Sequence, residues 1–167
     1  LWALGNEPNV SQSLEESLIW GGMIRHDLVT LIFRVMFLVA LATTALISLD
    51  VKELQRIEYY LLLITGTMGF SLMAASADLI MLYVALEMAS ISSYVLAGLF
   101  KTNDKSSEAG MKYFVYGAFA TGLMLYGMSL VYGVTAQTNL YVIGDFLRGA
   151  APLSPDLTAV LLLAAVM

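Results

Sequence analysis

Long apolar stretches separated by short polar or charged segments dominate this chain. Four of the stretches reach the length of about 20 residues that an α-helix needs to cross the hydrocarbon core of a bilayer. They cover residues 28–49, 57–77, 79–100 and 107–132, and a shorter one covers 157–167. The pattern predicts an all-α, polytopic transmembrane helix bundle with four full spans and the start of a fifth.

A single membrane domain accounts for residues 1–167, because no repeat or soluble domain interrupts the apolar pattern. Residues 1–24 mix polar and apolar positions and are interpreted as a segment at the membrane interface. The chain ends at Met167 inside an apolar run. We therefore expect it to be a fragment of a longer membrane protein.

Polar residues mark where the helices are expected to begin and end. Asp27 and Asp78 precede the first and third spans and are predicted N-caps. Ser106 and Ser107 are predicted to start the fourth helix, and Gly133 is predicted to close it. His26, beside the first cap, is expected to face water.

Basic residues are unevenly distributed among the connections between spans. The segments 50–56 and 101–106 together hold four, namely Lys52, Arg56, Lys101 and Lys105. The connection near Asp78 has none, and residues 133–153 have only Arg148. Because cytoplasmic loops are enriched in Lys and Arg, we expect 50–56 and 101–106 to be cytoplasmic.

The composition narrows the classes of function. Hydrophobic residues make up 59% of the chain and charged residues only 13%, against roughly 45–50% and about 25% in soluble domains. A soluble enzyme is therefore not expected. The net charge of −5 provides no basic surface for nucleic acid. With no cysteine and one histidine, disulfide scaffolds, thiolate metal sites and multi-histidine clusters are excluded.

Glu87 is the most informative residue because it lies near the middle of the third span. A carboxylate at that depth costs at least about 2.5–3.5 kcal/mol on insertion scales, so it should face protein or water. Helical spacing places the hydroxyl residues Tyr83, Ser90 and Tyr94 on its side. We favour a proton-carrying carboxylate in a hydrated path over a carboxylate that only bonds a neighbouring helix.

The opposite side of the third span carries a small residue at every fourth position. These residues are Ala85, Ala89, Ser93 and Ala97. Such a stripe allows another helix backbone to approach closely in lipid. The third span is therefore predicted to have one polar face and one tightly packed face.

Two basic residues lie inside predicted spans. Lys112 follows Glu108 by four residues, so the two can form a local helix pair, or Lys112 can act as a relay toward the membrane middle. The spacing alone leaves both interpretations open. Arg34, in the first span, is expected to extend toward the interface or to pair with an acid on another helix.

The stretch from Glu58 to Gly133 resembles the N subunit of proton-pumping NADH:quinone oxidoreductase, respiratory complex I, an antiporter-like membrane subunit family. The strongest run is Met111-Lys112-Tyr113-Phe114-Val115-Tyr116-Gly117-Ala118-Phe119. The other matching residues are Glu58-Tyr59-Tyr60-Leu61-Leu62, Gly69, Ala77-Asp78-Leu79, Leu86-Glu87, Ser90, Tyr94-Val95-Leu96-Ala97-Gly98, Ser106-Ser107-Glu108-Ala109, Leu125-Tyr126-Gly127 and Tyr132-Gly133.

The resemblance implies a subunit that passes protons through buried charged residues along a hydrated membrane axis. By position, Glu87 matches the family's mid-membrane glutamate and Lys112 the lysine of the following helix. Tyr83, Ser90, Tyr94 and Glu108 are expected to support them. The broken, lysine-bearing helix of the family is missing, so Glu87 lacks the basic partner that the next helix would supply.

The resemblance also implies where the redox chemistry lies. No cofactor is expected on this chain, and NADH, FMN, iron–sulfur clusters and quinone are expected on other subunits. Partners would be neighbouring membrane subunits and lipids, with no nucleic acid, in an energy-coupling membrane such as the bacterial plasma membrane. Two alternatives stay open: a subunit of a cation/proton antiporter of the same superfamily, and a non-pumping structural scaffold.

Overall fold

The computed structural model describes residues 18–149, 158–160 and 163–164. Four of its helices are long and apolar enough to cross a membrane. They are α1 (Leu28–Ser48), α2 (Ile57–Ala75), α3 (Leu79–Ala97) and α4 (Asp104–Thr135). The predicted all-α bundle with four full spans is confirmed. The predicted partial span over 157–167 lies largely outside the described residues.

Three short elements accompany the four spans: one before them, one after them and one between the first two. A hairpin of β1 (Leu18–Ile19) and β2 (Ile24–Arg25) precedes α1, and the helix α5 (Leu140–Gly149) follows α4. A single 3-10 turn, Lys52–Leu54, joins α1 to α2. The hairpin occupies part of the predicted interfacial segment, and α5 occupies part of the predicted connection 133–153; neither element was predicted.

Small residues allow α2 and α3 to pack closely at the centre of the bundle. A Cβ atom added at Gly69 would lie 2.7 Å from the Ala89 amide nitrogen and 2.9 Å from the Ala85 carbonyl oxygen. Ala85 and Ala89 are accordingly buried. The predicted close-packing face of the third span is therefore confirmed at Ala85 and Ala89, and α2 is the helix that it contacts. Further along, the prediction was wrong for Ser93, because Ser92 is the buried residue that lies against Gly66 of α2.

On its other sides, the central pair contacts α1 through α2 and α4 through α3. The α3–α4 contact also depends on glycine, because a Cβ atom at Gly110 would lie 2.8 Å from the Cα atom of Gly98. This contact sets the antiparallel register of the two helices. The four spans therefore follow one another as neighbours, with α1 and α4 on the outside.

The helix ends agree with the predictions at α1 and α3. Asp27 accepts hydrogen bonds from the amide and hydroxyl of Thr30 at 2.8 and 2.6 Å. Asp78 accepts from the amides of Ile80 and Met81 at 2.8 and 3.4 Å. Both are N-caps as predicted.

The expectation that His26 faces water was wrong for one ring nitrogen, because its Nε2 is buried and has no hydrogen-bond partner among the described residues.

The predicted ends of the fourth helix were wrong. Asn103 is its N-cap and accepts from the Lys105 amide at 3.0 Å, whereas the Ser106 hydroxyl donates to the Ala97 carbonyl at the end of α3. At the other end the helix continues past Gly133 to Thr135, and Ala136 takes the left-handed conformation with φ 51°. The Ala136 amide still donates to the Tyr132 carbonyl at 2.7 Å, which extends the helix beyond Gly133, and the left-handed conformation of Ala136 then ends it.

Residues 18–27, 76–78 and 136–141 meet at one end of the bundle, which we call the capped end. The Ala77 amide donates to the Met23 carbonyl at 2.8 Å, and the Leu140 amide donates to the Ala77 carbonyl at 2.9 Å. The Asn139 side chain donates to the Gly22 carbonyl at 3.0 Å. These bonds join three separate segments of the chain.

Residues 49–56 and 98–103 form the opposite end, which we call the loop end. Arg56 lies over the Phe100 ring, with 5.8 Å between its guanidinium carbon and the ring centroid, so the two loops are neighbours. The two connections richest in basic residues therefore lie at the same end of the bundle. Their placement in the cytoplasm stays a prediction.

Candidate functional site

Glu87 is the ninth of the 19 residues of α3 and thus lies at the middle of a span. Its side chain is partly exposed. Within the described part of the chain, no basic residue lies within ion-pair distance of its carboxylate. An acid at this depth without a counter-ion is costly in lipid and is characteristic of a residue that faces water or further protein.

The α3 backbone directs Glu87 away from α2 and toward α4. Glu87 is offset by about 200° around the helix from Ala85, which contacts α2. Tyr94, which follows by seven residues and shares the side of Glu87, contacts α4. The predicted polar face of α3 is therefore the face that lies toward α4.

Tyr83 lies one turn from Glu87, toward the capped end. Its hydroxyl lies close to the Glu87 carboxylate and to the side chain of Thr121 on α4, whose own hydroxyl donates to the Ala118 carbonyl at 3.3 Å. Thr121 was not singled out in the sequence. The antiparallel register could have identified it. Gly98 lies opposite Gly110, so Glu87, eleven residues before Gly98, lies at the level of Thr121, eleven residues after Gly110.

Ser90 lies one turn from Glu87 in the other direction. Its side chain is partly exposed, and no described residue hydrogen-bonds to its hydroxyl. The neighbouring hydroxyls of Ser92 and Ser93 instead donate to the carbonyls of Met88 and Ala89, at 2.8 and 2.9 Å. Ser90 is therefore the hydroxyl of this segment that is free to bind water beside the carboxylate.

Tyr94 is buried in the contact between α3 and α4 and is 8% exposed. Its ring makes edge contacts with Tyr113 and Phe114, at centroid distances of 4.8 and 5.9 Å. Its hydroxyl fills the space at Gly117, where an added Cβ atom would lie only 2.0 Å away. Tyr94 thus holds the two helices in register on the side of Glu87 that faces the loop end.

Lys112 and Glu108 form an ion pair with each other one turn apart on α4. Both side chains are exposed, by 66% and 62%. The local-pair interpretation is therefore observed, whereas a direct contact with Glu87 is not. Because Thr121 marks the level of Glu87, Lys112 lies nine residues, or about 14 Å of helix rise, closer to the loop end.

A groove extends from Tyr83 toward the capped end between α3 and α4. Its volume is about 310 Å³, and its mostly apolar wall includes the polar residues Tyr83, Ser129 and Tyr132. Neither Ser129 nor Tyr132 was predicted as a site residue, because their contribution depends on the α3–α4 register. The groove provides space for water, or for a further helix, next to the Glu87 face.

Arg34 lies apart from this site, in a groove between α1 and α2. Its Nε atom is buried and has no hydrogen-bond partner in the described part of the chain. The expected pairing with an acid of another helix is thus not observed among those residues. Arg34 and Glu87 occupy different faces of the bundle, because α2 lies between α1 and α3.

The arrangement places one titratable carboxylate between hydroxyl groups on both sides along the helix axis. Tyr83 and Thr121 lie toward the capped end, and Ser90 and then Tyr94 lie toward the loop end. Carboxylates exchange protons with water and hydroxyl groups, so the arrangement is chemically able to pass a proton along the helix axis. No cluster of residues that could hold a metal ion occurs in the described ranges.

The chain is similar to known membrane subunits along most of its length. The family model "NADH:quinone oxidoreductase/Mrp antiporter, TM" matches residues 76–167, which is more than half of the chain. NADH-quinone oxidoreductase subunit N 2 of Chloroherpeton thalassium is 42% identical over 133 residues, covering 76% of this chain and 26% of that protein. Subunit N of Brevibacillus brevis is 49% identical over 125 residues, covering 72% and 24%.

A solved structure shares the fold. A chain of respiratory complex I from Thermus thermophilus with bound aureothin superposes with a TM-score of 0.63 and 30% identity, covering 86% of this chain and 31% of that chain. This chain spans about a quarter of the length of the two curated relatives above. The chain belongs to the NADH:quinone oxidoreductase/Mrp antiporter transmembrane family, in agreement with its resemblance to N subunits.

Proposed function

We propose that this chain forms part of a proton-translocating membrane subunit of a redox-driven NADH:quinone oxidoreductase. The observation that carries the proposal is Glu87, an acid at mid-span with no counter-ion among the described residues and with hydroxyl groups on both sides. In this role, Glu87 takes up a proton from one side of the membrane and releases it toward the other.

The geometry supports a path that runs along the α3–α4 contact. Ser90 and Tyr94 lie toward the loop end, whereas Tyr83, Thr121 and the groove lie toward the capped end. No direct hydrogen bond joins Ser90 to Glu87 or to Tyr94 among the described residues, so water must complete the chain on that side. Opening and closing of these water contacts would alternate the side from which Glu87 exchanges its proton.

Lys112 takes the second role in the proposal. Its distance of about 14 Å from the level of Glu87 requires an indirect connection through water. In its observed position Lys112 is paired with Glu108 on the same helix. A change in that pairing would alter the field along α4 and thus the proton affinity of groups deeper in the membrane.

The whole subunit would act with partners that carry the redox chemistry. NADH, FMN, iron–sulfur clusters and quinone supply and accept the electrons on other subunits of the complex. Neighbouring antiporter-like and small membrane subunits, together with lipids, surround the spans. The bacterial plasma membrane is the proposed location, with residues 50–56 and 101–106 on the cytoplasmic side.

Proton pumping in inverted membrane vesicles tests the proposal directly, with Glu87→Gln introduced into the full-length subunit of the intact complex. Removing a positioned proton-transfer group typically lowers rates by about 10²- to 10⁴-fold. We expect NADH-driven pumping and coupled quinone reduction to fall by a comparable factor while the complex still assembles. Glu53→Gln is the matched control, because Glu53 is an exposed glutamate in the 3-10 turn between α1 and α2.

The results separate the proposed pump from its two alternatives. Unchanged pumping in Glu87→Gln would overturn the role of Glu87 and favour a structural scaffold. Sodium–proton exchange that needs Glu87 but does not respond to NADH would instead identify an antiporter subunit. A comparison of Lys112→Met with Glu108→Gln tests the second role, because a relay predicts a larger loss from the lysine change, and a purely local pair predicts equal effects.

A further inference from the structure

A groove at the loop end, between the start of α2 and the end of α3, lies outside the proposed proton path. Its volume is about 420 Å³. Its polar wall consists of Arg56, Glu58, Lys101 and Thr102, and its apolar wall includes Leu62, Val95 and Phe100. The groove thus joins charged groups at the end of the bundle to apolar side chains on two spanning helices.

Both cations of this groove are without an acidic partner in the described part of the chain. Neither Arg56 nor Lys101 forms an ion pair with Glu58 or with any other described acid. The Arg56 guanidinium is instead held over the Phe100 ring, at 5.8 Å from its centroid. With two cations and one carboxylate, the groove carries an excess positive charge of one.

The backbone around the groove adds to this positive character. No side chain caps the N-terminus of α2, where Arg56 occupies the N-cap position. The first amide groups of a helix lack intrahelical partners and carry a partial positive charge. Arg56 and Glu58, at the start of this helix, line the groove, so its first amides lie beside the groove.

The matching ligand must carry a single negative charge at its polar end and an apolar tail. Leu62 and Val95 lie deeper along α2 and α3 than the charged residues, toward the middle of the spans. A phosphodiester with acyl chains satisfies both parts of the groove, because basic pockets between transmembrane helices bind anionic lipid headgroups. We propose that this groove binds an anionic phospholipid, with its phosphate at Arg56 and Lys101 and an acyl chain along Leu62 and Val95.

The capped end provides the contrast that makes this assignment specific. Its basic residue, Arg25, forms an ion pair with Asp27 at 3.0 Å and donates a hydrogen bond to the Tyr141 hydroxyl at 3.2 Å. That cation is already neutralised by groups of the chain itself. The cations of the loop-end groove are not, and so they are available to a ligand.

Photo-cross-linking of the full-length subunit in its intact complex tests the site. The probe is phosphatidylglycerol with a diazirine on one acyl chain, in bilayers of phosphatidylcholine. We expect labelling of the peptides that contain Leu62 and Val95, and competition by unlabelled phosphatidylglycerol. A basic residue near a membrane surface strengthens anionic-lipid binding about fivefold, so Arg56→Gln with Lys101→Gln should raise the half-competing concentration about 25-fold.

A matched double variant removes the same charge from the same end of the bundle. Lys52→Gln with Lys105→Gln changes residues that do not line the groove, and its half-competing concentration should stay within about twofold of wild type. Lys101→Gln alone should give about a fivefold change. This single variant replaces the double variant if the double variant fails to assemble. The Lys101 side chain makes no hydrogen bond in the described residues, so its substitution should leave the fold intact.

Four outcomes would overturn the proposal. Equal competition by phosphatidylethanolamine would remove the requirement for an anionic headgroup. Competition by millimolar glycerol phosphate would assign the site to a soluble phosphate compound instead of a lipid. Labelling confined to other peptides, or an equal loss in the two double variants, would show that the groove is not the binding site.

Discussion

The two ends of this bundle are held together by different interactions. At the capped end, hydrogen bonds link the hairpin, the α2–α3 junction and the segment before α5, and Ala75, Ala77 and Asp78 are buried. At the loop end, the connections are exposed, and α3 and α4 meet through backbone contact at Gly98 and Gly110. The comparison indicates that irregular segments fix one end, whereas close helix packing fixes the other.

The difference has a consequence for the proposed proton path. Glu87 lies between the two ends, with a groove toward the capped end and the Tyr94 contact toward the loop end. Movement of α4 against α3 can change water access to Glu87 only if the helices are free to shift at one end. The contacts of Gly98 with Gly110 and of Tyr94 with Gly117 hold α3 and α4 together toward the loop end, so the groove beside Tyr83, toward the capped end, is where the two helices have room to shift.

The largest expected effect comes from separating the helices at the loop end with Gly110→Val. The new side chain meets the backbone of Gly98, which cannot move without shifting α3. Overpacking costs about 1–3 kcal/mol, and we expect a value near the upper limit because backbone atoms are involved. The measurement is the free energy of unfolding of the full-length subunit in detergent, or the apparent Tm if unfolding is irreversible.

Gly122→Val is the control for that prediction. It is the same substitution on the same helix, at a position where an added Cβ atom meets no described atom within 4 Å. Its intrinsic cost in the helix is therefore matched. If both variants lose the same stability, then close approach at Gly110 does not hold the loop end together.

At the capped end, Asn139→Ala should lower the free energy of unfolding by less than Gly110→Val does at the loop end. The Asn139 side chain accepts from the amides of Tyr141 and Val142, at 3.0 and 3.3 Å, and donates to the Gly22 carbonyl at 3.0 Å. Loss of an N-cap and of one tertiary hydrogen bond should cost about 1–2 kcal/mol. Hydrogen exchange should accelerate at the amides of Ala77 and Leu140, which belong to the same end.

Asn139→Asp separates the two contributions of this side chain. The carboxylate preserves the cap at the start of α5 but has no N–H group for the Gly22 carbonyl. We expect about half of the loss, confined to the link with the hairpin. Unchanged exchange at Ala77 and Leu140 in both variants would show that the hairpin does not depend on Asn139.

Features set by local chemistry could be predicted from the sequence. The four spans follow from apolar length, the caps at Asp27 and Asp78 follow from side-chain oxygens before apolar runs, and the small-residue face of α3 follows from helical period. Glu87 was identified because an acid at mid-span is rare. Each of these depends on residues within a few turns of one another.

Features that depend on distant residues could not be predicted in this way. The hairpin is fixed by bonds from Ala77 and Asn139, which lie far along the chain. The pairing of Gly98 with Gly110 determines which hydroxyl of α4 reaches Tyr83, and no local pattern encodes it. Gly133 has the residue type of a helix end, but the hydrogen bond from Ala136 to Tyr132 extends α4 beyond it.

The smallest expected effect concerns pH and the ion pair at the capped end. Desolvation raises the pKa of Asp27, but hydrogen bonds from Thr30 and the charge of Arg25 outweigh it, so the pKa lies below its ordinary value of 3.8. A lowered pKa in the folded state means that the charged form stabilises the fold above the ordinary pKa. That contribution is lost as the pH falls through the folded-state value.

We therefore expect the stability difference between wild type and Asp27→Asn to be constant at neutral pH and to shrink as the pH falls below about 5. The amide of asparagine still caps α1, so the variant isolates the charge from the cap. Because the Arg25 and Asp27 side chains are 29% and 31% exposed, solvent screening should keep the difference below about 1 kcal/mol. A difference that grows on acidification would instead mean that protonated Asp27 is the form that the capped end favours, and the hydrogen bonds from Thr30 would then have to be reassigned.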